Sequence, residues 1–162
     1  KKNFILFHLD EKWIYDHYIK SYTNIEPETY IDLLDFFKQI VNKSNNTLVI
    51  TSGNINNKFT DIFKNKFLNI DKDIFNFYNY NIFFLNSLSI NQLEFIISQC
   101  SSIISCHGAP THIAAAYNKK IIDIVDNSEK FFFIKWSSHF RNYEQLNRTS
   151  FKSLSNIILT KL

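Results

Sequence analysis

Five short apolar runs, each with a stretch of helical spacing after it, constrain this 162-residue chain more than any other feature. Phe4–Leu9 (FILFHL), 47–51 (TLVIT), 81–85 (NIFFL), Ser102–Cys106 (SIISC) and 121–125 (IIDIV) are rich in β-branched or aromatic residues, so each reads as a buried strand. Helical spacing occupies 27–42, 59–67, 89–99, 110–117 and 150–159. In the first of these Ile31, Leu34, Phe37, Ile40 and Val41 share a face, and Pro27 between Glu26 and Glu28 suits an opening turn. In the third, Ser89 is the expected cap, with Leu93, Ile96 and Ile97 turned inward. Residues 69–80 fit either a loop or a short helix, and 131–136 form an aromatic block that follows Lys130 and contains Lys135. Strands that are apolar throughout, not on alternate residues, need cover on both faces. The pattern predicts a doubly wound α/β fold: a parallel sheet with helices on both faces.

The length suits one domain spanning 1–162, and 45% hydrophobic residues with only two Gly and two Pro exclude a disordered or linker-dominated chain. Net charge is +3, but among 18 basic residues only Arg141 and Arg148 can form bidentate forks, which argues against nucleic acid as a partner. Two cysteines, Cys100 and Cys106, are too few for a disulfide framework or a four-ligand zinc site and suit a reducing compartment. No uninterrupted apolar run approaches the roughly 20 residues that cross a bilayer. The chain has no Met, even at position 1, so a piece of something longer is expected.

Parallel sheets of this kind bind ligands beyond the carboxyl ends of their strands, which directs attention to residues 10–12, 52–57, 86–89 and 107–111. The last is the most informative. A buried strand runs into His107-Gly108-Ala109, and Pro110 then opens a helix, where its missing amide hydrogen costs nothing. Ala109 is a poor cap, so the first-turn amides have no evident side-chain acceptor and could hold an anion, with Gly108 permitting close approach. His107 and His112 bracket this helix start and can donate to phosphate or sugar oxygens. The plainer reading is a tight strand-to-helix turn with a packed histidine. His8, His17 and His139 read as structural.

A metal is not expected: Cys106 is the only soft ligand near His107 and His112, no carboxylate lies between them, and Asp71-Lys72-Asp73 reads as a surface turn. A hydrolase elbow and a Walker-type phosphate loop are also missing from the sequence.

His107-Gly-Ala-Pro-Thr-His-Ile-Ala-Ala-Ala116 resembles the Asp-Ser/Thr-Gly-Pro-x-His-x-Ala-Ala-Ala signature of glycosyltransferase family 9, the ADP-heptose:lipopolysaccharide heptosyltransferases. Upstream, 88–105 (LSINQLEFIISQCSSIIS) is similar to that family's helix and strand, and Phe7-His8 with Lys12-Trp13 to its first strand and loop. The likeness covers about residues 4 to 126. His107 stands where that family has Asp, Gly108 where it has Ser or Thr, and Ala109 where it has Gly. The His-Gly-Ala run also resembles a turn of glycosyltransferase family 61.

Either resemblance implies a Rossmann-like domain that is the donor-binding half of a two-domain GT-B glycosyltransferase. It would bind a nucleotide diphosphate-sugar, while a second domain supplies the glycan or lipid-linked acceptor and the catalytic base. It implies inversion, work on cell-envelope glycan or lipopolysaccharide at the cytoplasmic side, and no metal or other cofactor. Lys12 and the Ala109, Pro110, Thr111 and His112 turn would meet the phosphates, with His107 and Gly108 beside them. Gly53 and Asn54 lie in a loop with no carboxylate for the ribose, where asparagine amides would serve. The aromatic block is expected to be a buried segment, with contact to the second domain or to a membrane face, giving peripheral association, as the other reading. The alternative from a different class is a non-catalytic Rossmann-like scaffold, motivated by the departures at 107 to 109.

Overall fold

The computed structural model describes residues 3–13, 29–53, 58–126 and 130–162. Eight strands in these residues form one sheet: β1 (Phe4–Leu9), β2 (Thr47–Ser52), β3 (Leu68–Asp71), β4 (Ile74–Asn76), β5 (Ile82–Leu85), β6 (Ser102–Cys106), β7 (Lys120–Val125) and β8 (Tyr143–Asn147). Their order is β3-β4-β5-β2-β1-β6-β7-β8. From β5 to β8 every neighbouring pair is parallel, and the β3–β4 hairpin adds an antiparallel edge. The helices are α1 (Tyr30–Ser44), α2 (Lys58–Lys66), α3 (Ile90–Gln99), α4 (Ala109–Ala116), α5 (Lys130–Ser137) and α6 (Phe151–Lys161), with a short 3-10 turn at Glu11–Trp13. The expected α/β class with a mostly parallel sheet is therefore observed.

Several expectations need correction. The first helix begins at Tyr30, because Thr29 is extended (φ −132°) and closes a capping box with Asp32. Pro27 lies outside the described residues. Ile31 is exposed, whereas Leu33 and Phe36 join Leu34, Phe37 and Ile40 in the core. Residues 69–80, left between loop and helix, contain most of the β3–β4 hairpin. The aromatic block is helical, and β8 is a parallel strand that periodicity missed, since Tyr-Glu-Gln-Leu-Asn is mostly polar. α4 starts one residue before Pro110, which suits its second position equally well.

Alternating side chains give the sheet two unequal faces. Ile5, Phe7, Leu9, Leu48, Ile50, Phe84 and Ile122 meet α1, α2 and α6 in an aromatic-rich core that includes Trp13, Phe36, Phe37, Phe63 and Phe151. Leu6, Ile103 and Ile121 meet α3 and α4 in a smaller cluster with Ile97, Cys100 and Ala114. Ala114 is wholly buried, and its small side chain lets α4 lie close to the sheet. On this second face one register row is polar from strand to strand: Thr51, His8, Ser105, Asp123 and Gln145 are successive partners.

The strand order sets the location of a site. From β1 the chain moves outward through β2 to β5, returns to place β6 on the other side of β1, and continues outward to β8. The reversal lies between β1 and β6, the position beyond whose carboxyl ends sheets of this kind bind their ligands.

Candidate functional site

The turns after β1 and β6 meet at this reversal. After β1, Asp10 is buried and receives the Lys12 amide on Oδ1 at 3.2 Å and the Lys12 ammonium on Oδ2 at 2.9 Å. Trp13 anchors the turn from below by donating Nε1–H to the His8 carbonyl at 2.9 Å. Burial opposes the Lys12 charge more than any other single influence, yet the Asp10 charge and hydrogen bond outweigh it, so the ammonium is held above its ordinary pKa. Burial pushes Asp10 up, against the pull of Lys12.

After β6, Gly108 precedes α4 and caps it with no side chain. A Cβ at Gly108 would lie 2.6 Å from Lys12 Nζ, so the missing side chain makes room for that ammonium. The cation therefore sits beside the start of α4, whose dipole and amides also favour an anion. The expectation of a free ring of main-chain hydrogens narrows here. The Thr111 and His112 amides turn back on the Gly108 carbonyl at 3.0 and 3.4 Å, and Pro110 has none. Ala109 is left as the one first-turn residue with an amide not turned back on Gly108, and the Lys12 ammonium lies beside it.

The remaining sequence-predicted residues divide. Thr111 is wholly buried, bonding Asp123 Oδ1 at 3.2 Å and Ser105 Oγ at 3.2 Å, so its hydroxyl faces the protein. Pro110 is buried as well. Gly53 lies against the β1 turn, where an added Cβ would meet the Glu11 carboxylate at 2.8 Å, so its lack of a side chain lets the two loops pack together. Asn54 lies outside the described residues, as does His17. His112 is half-buried with its ring 5.2 Å from His107, and burial and then the His107 charge lower its pKa. His107 donates through Nδ1 to Asp123 Oδ2 at 2.6 Å and lies 4.4 Å from the Phe133 ring. His8, buried and bonded to Thr51 Oγ1 at 2.9 Å, is structural as expected, its pKa pushed down to about 4 by burial and the Lys12 charge.

Sequence reasoning missed three members of this neighbourhood. Asp123, in the middle of apolar β7, was legible as a lone carboxylate inside a buried run. Tyr143 reaches it from β8 with a 2.7 Å bond. Arg148, just past β8 and 95% buried, donates Nη2–H to the Lys12 carbonyl at 2.5 Å, while its Nε has no partner among the described residues. That guanidinium fixes the backbone of the residue whose ammonium faces Gly108. Among the described residues no group of three or more His, Cys, Asp or Glu is arranged to hold a metal ion. No helix in them is long and apolar enough to cross a membrane.

A cavity of about 610 Å³ lies elsewhere, beyond β5, between the Asp71–Asp73 turn and Asn91, Gln92 and Phe95 of α3. Its one lining cation, Lys72, stands between two carboxylates, Asp71 and Asp73. The charge arrangement, not the volume, marks the reversal as the candidate anion site.

No protein-family model matches the chain, those of glycosyltransferase families 9 and 61 included, and no curated protein matches it. Among solved structures, that of the wall teichoic acid polymerase TagF is similar at a TM-score of 0.47 and 11% identity, over 98% of this chain and 35% of that one. This chain thus spans well under two thirds of that neighbour's length.

Proposed function

We propose that this chain is the donor-binding half of a glycosyltransferase, holding a nucleotide diphosphate-sugar by its diphosphate at the β1–β6 reversal. One observation carries the reading: the Lys12 ammonium occupies the space left by Gly108, beside the start of an uncapped helix, where the strand order reverses. In transfer, negative charge develops on the leaving diphosphate as the bond to the sugar breaks. A cation and a helix dipole aimed there stabilise that charge more than they stabilise the bound donor. In this reading the acceptor, a cell-envelope glycan or lipid-linked molecule, and the base that activates it come from a facing domain. Turnover by this chain alone is then slight. Exposed Phe131, Phe132 and Trp136 on α5 suit contact with that domain or a membrane surface.

The test is calorimetric titration of the chain with CDP, UDP, GDP and ADP. Saturable binding to at least one is expected, weakened about tenfold or more in Lys12→Ala through loss of a charge-assisted contact and less in His112→Ala. The alternative, a Rossmann-like scaffold without a ligand, draws on the pairing of Lys12 with Asp10, which already satisfies the cation. It predicts no saturable binding to any of the four, and that outcome would sink the donor-binding reading.

A further inference from the structure

We infer that His107 is a hydrogen-bond donor to the leaving phosphate and that Asp123 and Tyr143 are positioning residues that aim it; the inference rests on the diphosphate seat proposed above.

The Asp123 side chain is fully buried, and three groups on three elements converge on it: His107 Nδ1 and the Tyr143 hydroxyl on Oδ2, and the Thr111 hydroxyl on Oδ1. Burial and then the Asp123 charge push the Tyr143 hydroxyl well up, so it keeps its proton and donates. A carboxylate only accepts, so Nδ1 of His107 carries hydrogen. The ring is held between Phe133 at 4.4 Å and His112 at 5.2 Å. Among the described residues its Nε2 has no hydrogen-bond partner. His107 immediately precedes Gly108, against which Lys12 Nζ lies, so the residue that carries the imidazole adjoins the proposed phosphate seat.

That position selects a role. In a direct displacement the base that deprotonates the acceptor approaches the sugar opposite the leaving group. A residue bordering the phosphate seat is on the wrong side for it. As the bond from the anomeric carbon to the phosphate oxygen breaks, its electron pair passes to that oxygen, and the Nε2–H of imidazolium His107 donates to it while Asp123 balances the positive ring. No proton has to change owner.

The charged and titratable groups around the ring are Asp123 from β7, Tyr143 from β8 and His112 from α4 with His139 beyond it, while Lys12, from the turn after β1, lies against the neighbouring Gly108. Inorganic pyrophosphate is the probe. Because donation from Nε2 with Nδ1–H on Asp123 requires the protonated ring, wild type should bind it more tightly at about pH 6 than at about pH 8. His107→Gln should remove that difference and weaken binding at the lower pH by about tenfold. Asp123→Asn should remove most of it, and Tyr143→Phe, which keeps the ring and the packing, should reduce it by about threefold. Nitrogen-15 chemical shifts of the wild-type His107 ring should report hydrogen on Nδ1 at the higher pH. Lys12→Ala should weaken binding at both pH values alike.

If pyrophosphate binds, depends on Lys12, and keeps its full pH difference in His107→Gln, the inference falls and the seat stands. A neutral Nε2–H tautomer in wild type also overturns it. If wild type binds neither pyrophosphate nor any nucleoside diphosphate, both fall.

Discussion

The two faces of the sheet differ in kind. Toward α1, α2 and α6 lies an aromatic core in which Phe7, Phe36, Phe37, Phe63 and Trp13 meet ring to ring at 4.7 to 6.2 Å. Toward α3 and α4 the core is small, and the polar row from Thr51 to Gln145 crosses it in register. Large rings stabilise the aromatic face and hold its helices away from the strands. On the other face Ala114 and short polar side chains let α4 come near, so that Thr111 and His107 can reach a carboxylate rooted in β7. Stability is concentrated on one face and candidate chemistry on the other.

The contrast can be broken most forcefully on the aromatic side. Phe37→Ala removes a fully buried ring and should cost about 3–5 kcal/mol in denaturant unfolding. A loss below about 1 kcal/mol would mean that this face is not where stability is concentrated. The polar row offers the next largest effect. His8 has a folded pKa near about 4 against 6.5 for the free side chain, so the unfolded chain binds more protons between those values. Its contribution is fully present above 6.5 and is lost as pH falls toward about 4, by roughly 3 kcal/mol in total. Unfolding free energies across that range should fall with acidification in wild type and distinctly less steeply in His8→Asn. Equal slopes would remove His8 from the account. The smallest effect is expected at the end of the row, where the Gln145 amide nitrogen is buried without a partner. Gln145→Leu should be neutral or stabilising, within about 1 kcal/mol. A loss beyond that would show that the amide holds the row together.

Much of the fold was legible because parallel strands buried on both faces leave runs that no other element shares. Ser89 was recognisable as a cap, and it does close a box with Gln92. What the periodicity missed has physical causes. β8 lies at a sheet edge, where polar side chains tolerate solvent, so no apolar run announces it. Ile31 lies on the helical stripe by spacing, but the angle at which α1 packs buries Leu33 and Phe36 instead. At the candidate site, Gly108 and Lys12 were singled out separately, yet Thr111 was assigned to the ligand when its hydroxyl belongs to the interior. Local spacing cannot tell which way a first-turn side chain points when the carboxylate it meets is twelve residues away on another strand.

The amino-acid order alone determined the layered class, the caps, and the strand-to-helix turn at Gly108, because each depends on neighbours within a few positions. Only the tertiary structure decided that Lys12 lies against Gly108, that Asp123 bonds the His107 ring, and that Arg148 secures the Lys12 backbone. Those relations come from the strand order, which sets side by side residues from 16 to 136 positions apart, and no local preference encodes distances of that kind.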